Sequence, residues 1–213
     1  KIMGNVFTLL LGSSVFIFFF CYLFRKPILY IFGASDASYL YADEYLQIYL
    51  FGTASSMLAT GMNGFINAQG FPGIGMLTTL IGAVLNLILD PVFIFMLHMN
   101  VRGAALATVI SQTVSGIWVI RFLTGKKSLL KLKISNLKLD RKLVRDILSL
   151  GTSGFIVQAT NALVQIVCNI TLQTYGGDLY VGIMTVLNSV REFLSLPVMG
   201  ITSGCQPILG YNY

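Results

Sequence analysis

The chain alternates long apolar runs with short polar breaks, and the runs have the length of membrane-crossing helices. Residues 2–24 carry no charge and are rich in Phe, Leu and Val; a helix needs ~20 such residues to cross the hydrocarbon core of a bilayer. Arg25-Lys26-Pro27 closes this run, 27–33 reads as a short interfacial turn, and 36–44 reads as an acidic loop. Residues 45–66 form a second uncharged run, in which Gly52, Ala54, Ser55, Ser56, Ala59, Gly61 and Gly64 supply the small side chains that let helices approach closely in lipid. Gly and Pro within Asn67-Ala68-Gln69-Gly70-Phe71-Pro72-Gly73 predict a tight turn. Further runs cover 74–98, 103–120, 147–177 and 179–207. The pattern therefore predicts an all-α polytopic membrane bundle with six transmembrane helices in this chain.

Composition agrees. The chain is 55% hydrophobic and 10% charged with a mean hydropathy of +0.79, far more apolar than a soluble domain. A net charge of +6 raises the question of nucleic acid, but most of the basic residues fall in one stretch: Arg121, Lys126, Lys127, Lys131, Lys133, Lys138, Arg141, Lys142 and Arg145. Basic loops beside membrane segments set orientation, which places 121–146 in the cytoplasm and excludes a nucleic-acid partner. The acidic 36–44 stretch then lies outside, in company with Arg25, Lys26 and Arg102, which run against the rule. Leu130, Leu132 and Ile134 alternate with Lys131 and Lys133, a pattern that lets this loop lie along the membrane surface. Cys21, Cys168 and Cys205 are far apart in apolar runs, so neither a disulfide framework nor a metal cluster is indicated. With one His and no Ser-His-Asp set, the inventory for catalysis is nearly empty, and an enzyme is not expected. The chain does not begin with Met and is read as an internal piece of a longer protein.

Within the third run, Asp90 has apolar chain on both sides, and Asn86 precedes it by one helical turn. Ionisable groups at membrane depth are rare and mark functional sites by default, and an i, i+4 pair shares one helix face. Asp90 is thus a candidate proton or cation site with Asn86 beside it; the alternative is that it bonds backbone freed by Pro91 and fixes a kink. In the fifth run, Gln158, Asn161, Gln165 and Asn169 recur at helical spacing. Such a face must line a wet cavity or bond other helices, because unpaired amides in hydrocarbon are costly. Asn188, Arg191 and Glu192 lie near the middle of the sixth run, where Glu192 either faces the cavity or belongs to a structural ion pair.

Several stretches carry a resemblance. Glu44-Tyr45-Leu46, Asn67-Ala68-Gln69-Gly70, Leu85-Asn86-Leu87-Ile88-Leu89-Asp90-Pro91-Val92-Phe93-Ile94, Gly103-Ala104-Ala105-Leu106-Ala107-Thr108-Val109-Ile110-Ser111-Gln112 and Gln206-Pro207-Ile208-Leu209-Gly210-Tyr211-Asn212-Tyr213 occur in this order, and together the chain resembles the multidrug and toxic compound extrusion (MATE) family. Family members often carry Arg where this chain has Asn67. The resemblance implies a twelve-helix transporter of two six-helix lobes, of which this chain would be helices three to eight: 1–124 in the N-terminal lobe, 125–146 the cytoplasmic interlobe linker, and 147–213 the start of the C-terminal lobe. It implies multi-pass residence in a bacterial inner or plasma membrane, and export of small-molecule drugs or toxic metabolites by antiport with sodium ions or protons. No further cofactor and no obligate protein partner are expected. Asn86, Asp90 and Thr108 would share a coupling-cation site with an acidic residue from a preceding helix. Asp90 lies about eight residues before the outer end of its helix and Thr108 about six after the start of the next, so at ~1.5 Å per residue their depths agree. The substrate cavity would be lined by Gln158, Asn161, Gln165, Asn169, Asn188 and Glu192. A lipid-linked oligosaccharide flippase of the same wider superfamily is the alternative, for which a strongly basic cavity is expected.

Overall fold

The structure, a computed structural model, describes residues 1–133 and 136–212, with the side chains of 203, 206–208, 210 and 211 left aside. Ile134, Tyr213 and most side chains of the stretch from Gln206 to Tyr211, which contribute to the reading above, thus lie outside the described residues.

The described residues are helical apart from short connections. Helix α1 (Ile2–Leu23) leads into a short α2 (Arg25–Ile31), followed by α3 (Asp36–Phe51), α4 (Thr53–Ala68), α5 (Pro72–Pro91), α6 (Asn100–Thr124) and the long α7 (Arg141–Asn212). Four of these stretches are long and apolar enough to cross a membrane: Ile2–Leu23, Pro72–Met96, Asn100–Thr124 and Arg141–Thr202. The last is not one rod, because Gly177 breaks it with φ 64° and ψ −165°. A left-handed φ followed by an extended ψ carries a small cost only for glycine, and it divides α7 into limbs 141–176 and 178–212.

Several expectations change, the first being that most of the predicted turn 27–33 lies in α2. The acidic stretch 36–44 is helix, not loop: Ser35 accepts a hydrogen bond from Ser38 N while Ser38 Oγ accepts from Ser35 N, and Asp36 stands in the first turn. That reciprocal cap satisfies the orphan amides, and the carboxylate meets the positive end of the helix dipole. The predicted run 45–66 is accordingly two nearly continuous helices that meet at Gly52. Likewise the helix of the fifth run starts at Arg141 rather than at 147, where Asp140 Oδ1 accepts from Lys142 N at 3.0 Å.

Arg25 pairs with Asp43 at 3.1 Å and Arg102 with Glu44 at 2.9 Å. Two of the three basic residues that oppose the orientation rule are therefore neutralised locally. At the same end, Tyr30 donates to Asp36 Oδ1 at 2.7 Å and its ring stacks on Tyr39; the Asp36 carboxylate holds the Tyr30 phenol above its ordinary pKa. The opposite end holds the buried core, where Met3, Leu58, Met62, Ile66, Val119 and Leu123 join α1, α4 and α6.

The linker is strapped to this core. Gln69 Oε1 accepts from Ser128 Oγ (3.0 Å) and Leu130 N (2.8 Å). Leu132 donates its N–H to Leu123 O and packs on the core, while Leu130 is exposed. Thr8 donates to Leu137 O, and Asn5 Oδ1 accepts from Asp140 N. The described residues 128–133 and 136–140 are thus tied to α1, α4 and α6.

Candidate functional site

Thr78, Gly82, Asn86 and Asp90 recur at four-residue spacing along α5, which makes one polar stripe in a helix whose other faces are apolar. Pro91 lacks an N–H, and its ring obstructs a regular turn. The chain continues past it as a π-helical turn over Val92–Met96, with Leu97 N donating to Val92 O at 3.0 Å. Alpha6 can approach this turn closely because Gly103 has no side chain: a Cβ there would lie 2.9 Å from the Phe93 backbone. The close crossing sets the register of Thr108 against Asn86.

Asn86 Nδ2 donates to Asp90 Oδ1 at 3.3 Å and to Thr108 Oγ1 at 3.4 Å, while Thr108 Oγ1 itself donates to Ala104 O at 2.9 Å. The amide therefore ties the carboxylate to a hydroxyl of the neighbouring helix. Among the described residues, Asp90 accepts from Asn86 alone and bonds no backbone near Pro91, so the carboxylate is left with open lone pairs. A carboxylate, an amide carbonyl and a hydroxyl are hard oxygen donors suited to a proton or a small cation.

The cluster opens on a cavity of about 480 Å³ between α4, α5 and α6. Asn86 and Thr108 belong to its wall, together with Ser56, Thr60, Asn63, Thr78, Ser111, Gln112 and Ser115. Ser115 donates to Thr78 O and Asn63 to Gly75 O. Among the described residues, Asn63 Oδ1, Ser111 Oγ and Gln112 Oε1 are buried without a protein partner. Buried oxygens of this kind ordinarily bond water or a ligand.

The residues predicted on α7 are distributed differently. Asn161 donates to Gln158 at 3.4 Å, Gln165 to Asn169 at 3.1 Å, and Asn169 to Phe32 O at 3.3 Å. Gln158 and Asn161 are exposed, whereas Gln165 and Asn169 are half-buried. Asn188 on the second limb is half-buried and Glu192 exposed. Among the described residues, no hydrogen bond joins either to the stripe, and no ion pair links Glu192 with Arg191.

The MatE family model matches residues 1–92. The multidrug export protein MepA of Staphylococcus haemolyticus is 30% identical over 190 residues, which are 89% of this chain and 42% of that protein. A solved structure of a multidrug resistance MATE family transporter of the MOP superfamily, in an inward-facing conformation, is 25% identical with a TM-score of 0.84, covering 92% of this chain and 46% of that one. The chain belongs to the MATE family. A further solved chain, named only protein A, is 36% identical with a TM-score of 0.92 and covers 99% of this chain and 47% of its own. This MATE chain thus spans about half the length of these relatives, of which MepA is named as an export protein and the 25% identical one as a transporter.

Sequence reasoning passed over most of the cavity wall. The signal was present in the MATE chain: Ser56, Thr60, Asn63 and Asn67 step by four, three and four, and Thr108, Ser111 and Ser115 by three and four. Each is a helical polar stripe like the one noticed at 158–169. Of these, Ser56 was read as a small packing residue, because hydroxyls serve both ends in membrane helices, and Thr108 was placed in the cation site.

Proposed function

We propose that the protein to which this chain belongs is a secondary active multidrug exporter of a bacterial cell membrane, which expels organic, often cationic, compounds by antiport with sodium ions or protons. The chain supplies six membrane crossings: α1, α3 with α4, α5, α6 and the two limbs of α7. Alpha1 to α6 belong to one lobe and α7 begins the other, with 121–140 on the cytoplasmic side. The supporting observation is the amide of Asn86 held between Asp90 and Thr108 across two helices. Cation binding or protonation at Asp90 removes the one negative charge of the pocket. The neighbouring helix segment, already lacking a backbone bond at Pro91, can then straighten or bend at lower cost. Drug and cation that favour opposite lobe arrangements exchange by linkage.

The uncharged oxygens of the adjoining cavity support hydrated cations and cationic solutes over the anionic pyrophosphate carrier that a flippase would take. Gln158, Asn161, Gln165, Asn169, Asn188 and Glu192 are the side chains of α7 turned to substrate in this reading. The test is Asp90→Asn in the full-length protein, assayed as drug efflux against an imposed sodium or proton gradient, with folded protein quantified. Loss of gradient-driven efflux at normal folded yield is expected; efflux at the wild-type rate refutes the coupling role.

A further inference from the structure

The geometry points to an extracellular gate, in which Ser35, Asn169 and Asp178 hold the outer ends of the two lobes together; this rests on the orientation and two-lobe reading above. Among the described residues, Asn212 apart, two hydrogen bonds join α7 to helices α1 to α6, and both are at the end opposite the basic segment. Ser35 Oγ donates to Asp178 Oδ2 at 2.9 Å, and Asn169 Nδ2 donates to Phe32 O at 3.3 Å. The partners are 143 and 137 residues apart in the chain, so only tertiary folding brings them together.

Both sides of the contact are built for close approach. Gly33 has φ +95°, and a Cβ there would lie 3.1 Å from Asn169 Cβ. Asp178 directly follows the break at Gly177, which turns the first limb into the second. On the first-lobe side the elbow between α2 and α3 is firm, because Ser35 also caps α3 and Tyr30 is bonded to Asp36. Away from this end the first limb separates from the bundle: residues 151–158 are exposed throughout, whereas Gln165 and Asn169 are half-buried. The first limb thus meets the earlier helices near Asn169, where it packs on Gly33 and Phe32, and is uncovered over 151–158.

The contact is also reversible in kind. Its groups lie at the polar end of the bundle, and the bond from Ser35 to Asp178 is exposed. Water can replace each partner when the gate opens, so no buried polar group is left unpaired. Gln165, one turn inward from Asn169 and bonded to it, would meet the outside only in the open state.

The experiment uses the full-length protein with Cys21, Cys168 and Cys205 replaced by Ala, carrying Ser35→Cys and Asp178→Cys, and a short bis-methanethiosulfonate cross-linker. Cross-linking across the two positions is expected in membranes, with ethidium efflux falling at least tenfold and returning on reduction. Efflux by the cross-linked protein at the uncross-linked rate, or failure to cross-link, overturns the gate. A second readout does not require transport: in a protein that also carries Gln165→Cys, the cross-linker is applied in substoichiometric amount, the linked fraction is isolated, and an impermeant maleimide is added from outside. Labelling before linking and protection after it support the gate even if the protein exports no ethidium, which would count against the efflux reading alone. Equal labelling of linked and unlinked protein overturns the gate.

Discussion

Replacing Asn86 by Ala in the full-length protein should weaken the cation dependence of efflux about tenfold while folded yield stays level. The amide donates to Asp90 at 3.3 Å and to Thr108 at 3.4 Å, both longer than the usual ~2.9–3.0 Å. A bond to a charged group contributes about 1.5–3 kcal/mol and one to a neutral group about 0.5–1.5 kcal/mol. Long bonds belong at the low ends, which together give about 2 kcal/mol. Asn86 and Asp90 are only partly buried, so water recovers some of this, leaving about 1.4 kcal/mol, a factor of about ten. Folding should be spared because Asn86 borders a cavity rather than the packed core. The assay is ethidium efflux in proteoliposomes, titrated with sodium at fixed pH and with pH at fixed sodium, together with the half-saturating concentration and the monodisperse yield. A half-saturation point within twofold of wild type at equal yield would refute the idea that this amide organises the cluster. Thr108→Val, alone and combined with Asn86→Ala, should show non-additive losses, because both substitutions remove the same bond.

Three further outcomes are expected. A cysteine at Lys127 should be inaccessible to an impermeant thiol reagent in intact cells and labelled in everted vesicles; Ser128 is unsuited to this, because it is 4% exposed and bonded to Gln69. Gln69→Ala removes acceptor bonds from Ser128 and Leu130 and a donor bond to Phe65 O, so limited proteolysis should cut 125–140 faster and thermal stability should fall by about 2 kcal/mol; unchanged cutting would show that the strap is idle. Gln158→Ala and Asn161→Ala alter exposed amides bonded to each other, and should change which compounds confer resistance at unchanged membrane abundance; loss of abundance instead would make the stripe a packing feature.

The amino-acid sequence by itself determined the apolar runs, the turn at Asn67 to Gly73, the clustering of basic residues between two apolar runs, and the placing of Asn86 and Asp90 on one helix face. These are local properties, fixed by a 3.6-residue period and by the exclusion of charge from lipid. Local signals were also present where the reading went astray: Ser35 with Ser38 starts α3, and Asp140 starts α7, yet clustered charge was taken for loop. Only the tertiary structure decided which partner each polar face meets. Thr108 reaches Asn86 because Gly103 admits α6 to the turn after Pro91. The wall joining Ser56, Asn63, Thr78 and Ser111 needs three helices to cross. Asn169 bonds Phe32, 137 residues away, and no spacing along α7 encodes that contact. Periodicity tells which side chains share a face, whereas the choice of neighbour depends on long-range packing between helices, summed over contacts that no single segment contains.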